Sequence, residues 1–115
     1  YQVGVTVVDR FGQPQAYLKN RYAGLHVYDT SRRKAWTAVS FRTSTSALAE
    51  QTKAGSDASA IRLLDRALPL GGGLVVYSGE GSIVAGIGVS GAPGPKLDEV
   101  CAQNGIDAIG DDIAF

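Results

Sequence analysis

Ser82-Ile83-Val84-Ala85-Gly86-Ile87-Gly88-Val89-Ser90-Gly91 is the stretch on which the fold turns. Gly86, Gly88 and Gly91 match the G-x-G-x-x-G spacing of a dinucleotide-binding turn, where pyrophosphate approaches backbone N–H groups at a helix start. The surroundings argue against that reading. Gly86 and Gly88 alternate with Ala85, Ile87 and Val89 in a strand-like period of two, and Pro93 and Pro95 interrupt the helix that should follow. Too little chain remains for a further strand, and Asp111, near the offset expected of a ribose-binding acid, sits in a polar tail. Residues 82–89 therefore read as a strand. Glycine at alternate positions leaves a smooth face on which a helix, a neighbouring subunit or a flat ligand can come close to the backbone.

Working outward, Ser78-Gly79-Glu80-Gly81 turns this strand back onto residues 74–77, which are entered through Gly71-Gly72-Gly73, so the two form a hairpin. Downstream, Gly91-Ala92-Pro93-Gly94-Pro95 breaks the strand and leads into a helix over residues 96–103, ended by Asn104-Gly105. At the other end of the chain, β-branched residues over 2–8, the turn Asp9-Arg10-Phe11-Gly12-Gln13-Pro14 and a short run over 15–19 predict a second hairpin. Between the hairpins the spacing predicts three helices. The first covers residues 32–42, with Asp29, Thr30 or Ser31 as N-cap; the second covers 46–53; the third runs from 56 or 57 to Pro69 and carries Ile61, Leu63, Leu64, Ala67 and Leu68. The order β-β-α-α-α-β-β-α predicts one α+β domain over residues 1–115, with a mostly antiparallel sheet built from two hairpins and helices packed on it.

Length and charge narrow the function. A chain of 115 residues, 44% hydrophobic, suffices for one core and not for two. Eleven basic and eleven acidic residues leave no net charge, so the long-range field that nucleic-acid or anionic-membrane binders use is missing, and neither partner is expected. No run approaches the roughly 18 apolar residues of a membrane span. Near its isoelectric point of about 6.8 the protein meets little self-repulsion, which favours a homo-oligomer. The chain has no methionine, and Tyr1 opens directly into a strand-like run, which reads as a processed or trimmed product. On that ground a periplasmic or extracellular location is slightly favoured over a cytoplasmic one. The single cysteine, Cys101, makes no internal disulfide and is uninformative about compartment.

Ile83 to Gly94, followed by Asp98-Glu99-Val100-Cys101-Ala102 and Gly105-Ile106-Asp107-Ala108, resembles the G-x-I-G-V-S-G, D-E and A-x-x-G-I block of the GlcG/HbpS-like family, which includes the C-terminal domain of PduO-type proteins. Val7-Val8-Asp9-x-x-Gly12 resembles the family's first hairpin, Lys34-Ala35-Trp36-Thr37-Ala38 its K-A-x-T-A helix, and Pro69-Leu70-Gly71-Gly72-Gly73 its glycine-rich strand entry in a less common order. The resemblance implies a profilin-like fold, higher oligomers and, in several members, haem or corrinoid binding. It also implies a helix ahead of the V-V-D strand, which this chain starts too late to contain.

His26, the only histidine, lies between the first hairpin and the first helix, in Asn20-Arg21-Tyr22-Ala23-Gly24-Leu25-His26-Val27-Tyr28. A neutral imidazole can ligate haem iron; Arg21, Arg32, Arg33 or Lys34 can pair with propionates, and Tyr22 or Tyr28 can stack on or hydrogen-bond the ligand. The resemblance supports haem as the cofactor and His26 as the metal-ligating residue. The plainer alternative is a surface or turn histidine with no ligand. A third reading makes the protein a small-molecule enzyme or ligand sensor, with His26 as general base toward a hydroxy-acid or hydroxyaldehyde whose carboxylate is held by Arg21 or Arg33. Arg32, Arg33 and Lys34 would oppose the dipole at the start of the expected helix, so a compensating carboxylate is expected nearby. Asp98 and Glu99 read as charges at the favourable end of the last helix rather than as a metal pair, since adjacent helical residues diverge.

Overall fold

The computed structural model describes residues 1–113. Strand β1 (Gly4–Asp9) and strand β2 (Pro14–Lys19) form the first hairpin, and helix α1 (Val27–Phe41) and helix α2 (Thr45–Gln51) follow. A short 3-10 turn (Ser59–Leu63) leads to strands β3 (Gly73–Tyr77) and β4 (Ile83–Ser90), then to helix α3 (Pro95–Ala108) and a closing 3-10 turn, Gly110–Ile113. The four strands make one antiparallel sheet in the order β2-β1-β4-β3. The two hairpins join through β1 and β4, from Gly4 opposite Ser90 to Asp9 opposite Ala85. The fold is α+β, as the pattern of strands and helices predicted. No helix among the described residues is long and apolar enough to cross a membrane.

Strand alternation divides the core between two faces. Val8 lies fully buried beneath Ala35 and Val39 of α1 on one face, and Val76, Ile87 and Val89 pack against Ala102 of α3 on the other. Helix α1 presents Val27, Ser31, Lys34, Ala35 and Ala38 along one buried stripe, the period expected of a helix laid on a sheet. It comes unusually near. A methyl group built on Gly88 would overlap the Ser31 carbonyl oxygen and the Ala35 amide, and one on Gly86 would meet the Ala35 carbonyl oxygen at 2.9 Å. Of the occupants that the smooth glycine face allowed, the one seated there is the chain's own first helix.

Two expectations need correction. Helix α1 begins at Val27, one and a half turns before residue 32, and its N-cap is His26 rather than Asp29, Thr30 or Ser31. Those three residues are used inside the helix: Asp29 pairs with Arg32, Thr30 reaches Ser90, and the Ser31 hydroxyl meets Thr6 on β1 at 2.7 Å. The expected third helix is only the 3-10 turn Ser59–Leu63. Its apolar residues do not form a core-facing stripe, for Leu63 is 83% and Leu64 50% exposed, and Ala67 alone is buried. Without a face to bury, a short helix has little to hold it together. At the far end, α3 continues through Gly105 to Ala108.

These contacts predict opposite outcomes for two glycines. Gly88→Ala should destabilise the protein by several kcal/mol, on the scale of an overpacked core. Gly105→Ala, whose methyl would make an ordinary 3.4 Å contact with Ile87 inside α3, should stabilise it by about 0.5–1 kcal/mol. Chemical denaturation of the two variants beside the wild type checks both signs.

Candidate functional site

The chain enters α1 through a turn in which the Asn20 side chain accepts the Tyr22 amide and the Asn20 carbonyl accepts the Ala23 amide. The Val27 amide donates to the Gly24 carbonyl, so His26 is already in helical conformation as α1 begins. The His26 side chain caps nothing, and its ring forms no hydrogen bond with any described residue. It lies exposed against Gly24, where a methyl group would stand 2.8 Å from the imidazole.

The ring borders a cleft of about 400 Å³ between the start of α1, the end of β4 and the loop into α3. Thr30 and Ser90 form one wall, their hydroxyl oxygens 2.6 Å apart, and Leu70, Gly94 and Pro95 form the other. Lys34 and Asp98 lie at its floor. Lys34 is 1% exposed, and its ammonium donates to the Val89 carbonyl at 2.9 Å and to one Asp98 carboxylate oxygen at 3.0 Å. The other Asp98 oxygen accepts the Ala92 amide, which fixes the Gly91–Pro95 loop to the helix it leads into. Burial pushes the Lys34 ammonium below the ordinary lysine pKa, opposed by the hydrogen bond and the charge of Asp98. The pair thus ties α1, β4 and α3 together at one point.

Of the residues singled out in the sequence as a ligand set, the structure brings His26 and Lys34 to this cleft, Lys34 already paired with Asp98, and none of the arginines or tyrosines. Tyr28 stacks edge-on against Tyr17, with centroids 4.6 Å apart, and Arg32 lies over the Tyr28 ring while pairing with Asp29 at 2.6 Å. Tyr17 and Tyr28, with Lys19 and Leu25, line a separate hollow of about 300 Å³ beyond Gly24. Arg33 turns toward the segment before β3 and donates to the Ala67 carbonyl. Arg21 and Tyr22 stand exposed on the entry turn. The carboxylates expected to compensate the cationic cluster are Asp29 for Arg32 and Asp98 for Lys34, although α1 begins early enough to carry all three cations past its first turn. Asp98 and Glu99 diverge: Asp98 faces Lys34, whereas Glu99 accepts the Ser46 hydroxyl of α2. Among the described residues no group of three or more histidine, cysteine or acidic side chains is placed to hold a metal ion.

The sequence reading missed Lys34 as a buried residue and Asp98 as its partner. Lys34 does fall on the same helical stripe as Val27, Ser31, Ala35 and Ala38, and that was the available signal.

The family model described as "Haem degrading protein HbpS-like" matches residues 1–107. Among solved structures, a double mutant of HbpS from Streptomyces reticuli is similar at 41% identity and a TM-score of 0.87, over 95% of this chain and 72% of that one. The ORFY protein of Klebsiella pneumoniae is 30% identical with a TM-score of 0.86, over 92% of this chain and 73% of its own. A PduOC protein solved in complex with haem is 29% identical with a TM-score of 0.86, over 94% of this chain and 78% of that one. No curated protein matches the chain significantly.

The buried pair makes a testable demand. Asp98→Ala leaves the Lys34 ammonium without its counter-ion and should cost about 3–5 kcal/mol. The double variant Lys34→Met/Asp98→Asn should lose clearly less than the sum of its single substitutions, since it removes both charges and keeps an acceptor for the Ala92 amide. Denaturation of Lys34→Met, Asp98→Asn and the double variant beside the wild type measures the coupling, and strict additivity would refute it.

Proposed function

The chain belongs to the HbpS-like family, and from that premise we propose that it binds haem in the cleft between α1 and the loop into α3, with the imidazole of His26 as iron ligand. The observation that carries this reading is the state of the ring: the only histidine of the chain borders a concavity and has no hydrogen-bonding duty among the described residues. A neutral imidazole of this kind could supply a nitrogen ligand to haem iron. The similarity to a protein solved with haem supports the choice of ligand.

The donor set of the cleft suits such a guest. Thr30 and Ser90 offer hydroxyl groups, while Leu70 and Pro95 offer apolar surface. The buried Lys34 ammonium has acceptors for two of its three hydrogens among the described residues and brings positive charge to the floor, balanced by Asp98. Bound haem would supply the iron-centred chemistry, and His26 with the cleft walls at Thr30, Ser90, Leu70 and Pro95 would hold it.

The alternative of acid–base chemistry on a hydroxy-acid requires a cation beside His26 to hold the substrate carboxylate. Neither candidate lines the cleft, because Arg21 stands on the exposed turn and Arg33 is directed at the Ala67 carbonyl. The geometry favours binding over this catalysis.

Titration of the purified protein with haem should give a Soret shift that saturates. His26→Ala should weaken binding by at least about tenfold, or 1.4 kcal/mol, while leaving the thermal midpoint unchanged, because the ring is exposed and unbonded. A wild type without a spectral change would overturn the haem reading, and an unaltered spectrum in the variant would overturn His26 as the ligand.

A further inference from the structure

The cleft beside His26 does not end at Leu70 and Pro95. On their far side a trough of about 440 Å³ runs between α2 and the first turn of α3, and cleft and trough share Leu70, Gly94 and Pro95 as lining. Its wall is largely apolar, with Ala49 on α2 facing Leu97 on α3, and the hydrogen bond from Ser46 to Glu99 holds the two helices at this separation. Leu70 and Leu97 are 40% and 38% exposed there, so the surface is one that a guest could still cover.

Gly94 stands where the two halves meet. Its φ of −158° is extended backbone that any residue adopts, and a methyl group built on it would touch nothing within 4 Å. Neither backbone strain nor packing therefore calls for glycine at this position. Gly94 lines both cleft and trough, and the space beside its Cα is open.

From this we infer that cleft and trough form one bipartite site for a planar tetrapyrrole: the trough takes an apolar edge of the macrocycle against Leu70, Pro95 and Leu97, and Gly94 is the residue that lets a flat molecule cross from one half to the other. The inference rests on the haem reading for its occupant and extends it to residues that donate nothing to iron. Cleft and trough fall individually toward the lower end of small-molecule sites, and a ligand that used both would reach the extent of burial such sites typically provide. The polar half positions and the apolar half contributes contact area, the usual division in a ligand pocket.

Metal-free protoporphyrin IX separates the two claims, because it binds without an iron ligand and reports through its fluorescence. Wild type, His26→Ala, Gly94→Leu and Leu97→Glu are titrated with haem and with protoporphyrin IX, and circular dichroism confirms the fold of each. Gly94→Leu and Leu97→Glu should each weaken both ligands by about tenfold or more, whereas His26→Ala should weaken haem and spare protoporphyrin IX. Haem binding that depends on His26 but is indifferent to both Gly94→Leu and Leu97→Glu would overturn the bipartite site and leave the haem reading intact. A wild type that binds neither ligand would overturn both.

Discussion

The distance between α1 and β4 sets everything else in this molecule. Helices ordinarily rest on a sheet through their side chains; here the backbone of α1 at Ser31 and Ala35 lies directly over Gly88 and Gly86. That approach removes two side chains from the centre of the core and replaces their bulk with close backbone contact, which is favourable only where both surfaces are smooth. Ala35 and Ala38, both fully buried, are the matching small residues on the helix. The close seat also brings the Ser31 hydroxyl to Thr6, giving two buried polar groups a partner that a more distant helix could not reach.

The same seat explains why a lysine can be buried here. Lys34 leaves α1 alongside the sheet, and its ammonium arrives at the end of β4, where the Val89 carbonyl and the Asp98 carboxylate both accept from it. Burying the pair is costly in itself, so its value lies in specificity: it joins a helix, a strand end and a second helix that share no continuous apolar core at that point. Because Asp98 also accepts the Ala92 amide, the Gly91–Pro95 loop is held open as one wall of the cleft. The floor of the proposed site is thus a structural ion pair, and His26 at the rim stays free of structural duty.

The sheet and both hairpins were legible because their signals are local: alternation in residues 2–8 and 82–89, glycine turns at Gly12 and Gly81, and prolines where strands cannot continue. The start of α1 was not, because Asp29, Thr30 and Ser31 have the chemistry of caps, and only tertiary partners such as Ser90 and Thr6 show that they are used within the helix. The stretch over residues 56–69 failed for the complementary reason. Its leucines have helical spacing, but no surface is left to receive them, and periodicity cannot report the absence of a partner. For the site, His26 was visible as the solitary imidazole on a loop. Lys34 and Asp98 are 64 residues apart in the chain, and although Lys34 falls on the buried stripe of α1, nothing local shows which carboxylate would receive its charge.

A molecule without net charge has no long-range field with which to gather an anionic guest, so whatever it holds must be retained by contact. That places the weight on shape and apolar area near the site rather than on the half-buried arginines of α1, which are in any case engaged: Arg32 with Asp29 and Tyr28, Arg33 with the Ala67 carbonyl. Leu70 and Leu97, by contrast, remain partly exposed at the edge of the cleft, and exposed apolar surface beside a concavity is what a flat, largely apolar ligand exchanges for burial. Electrostatics here organises the walls of the cleft, and in the proposed site binding would fall to the imidazole and the apolar surface between those walls.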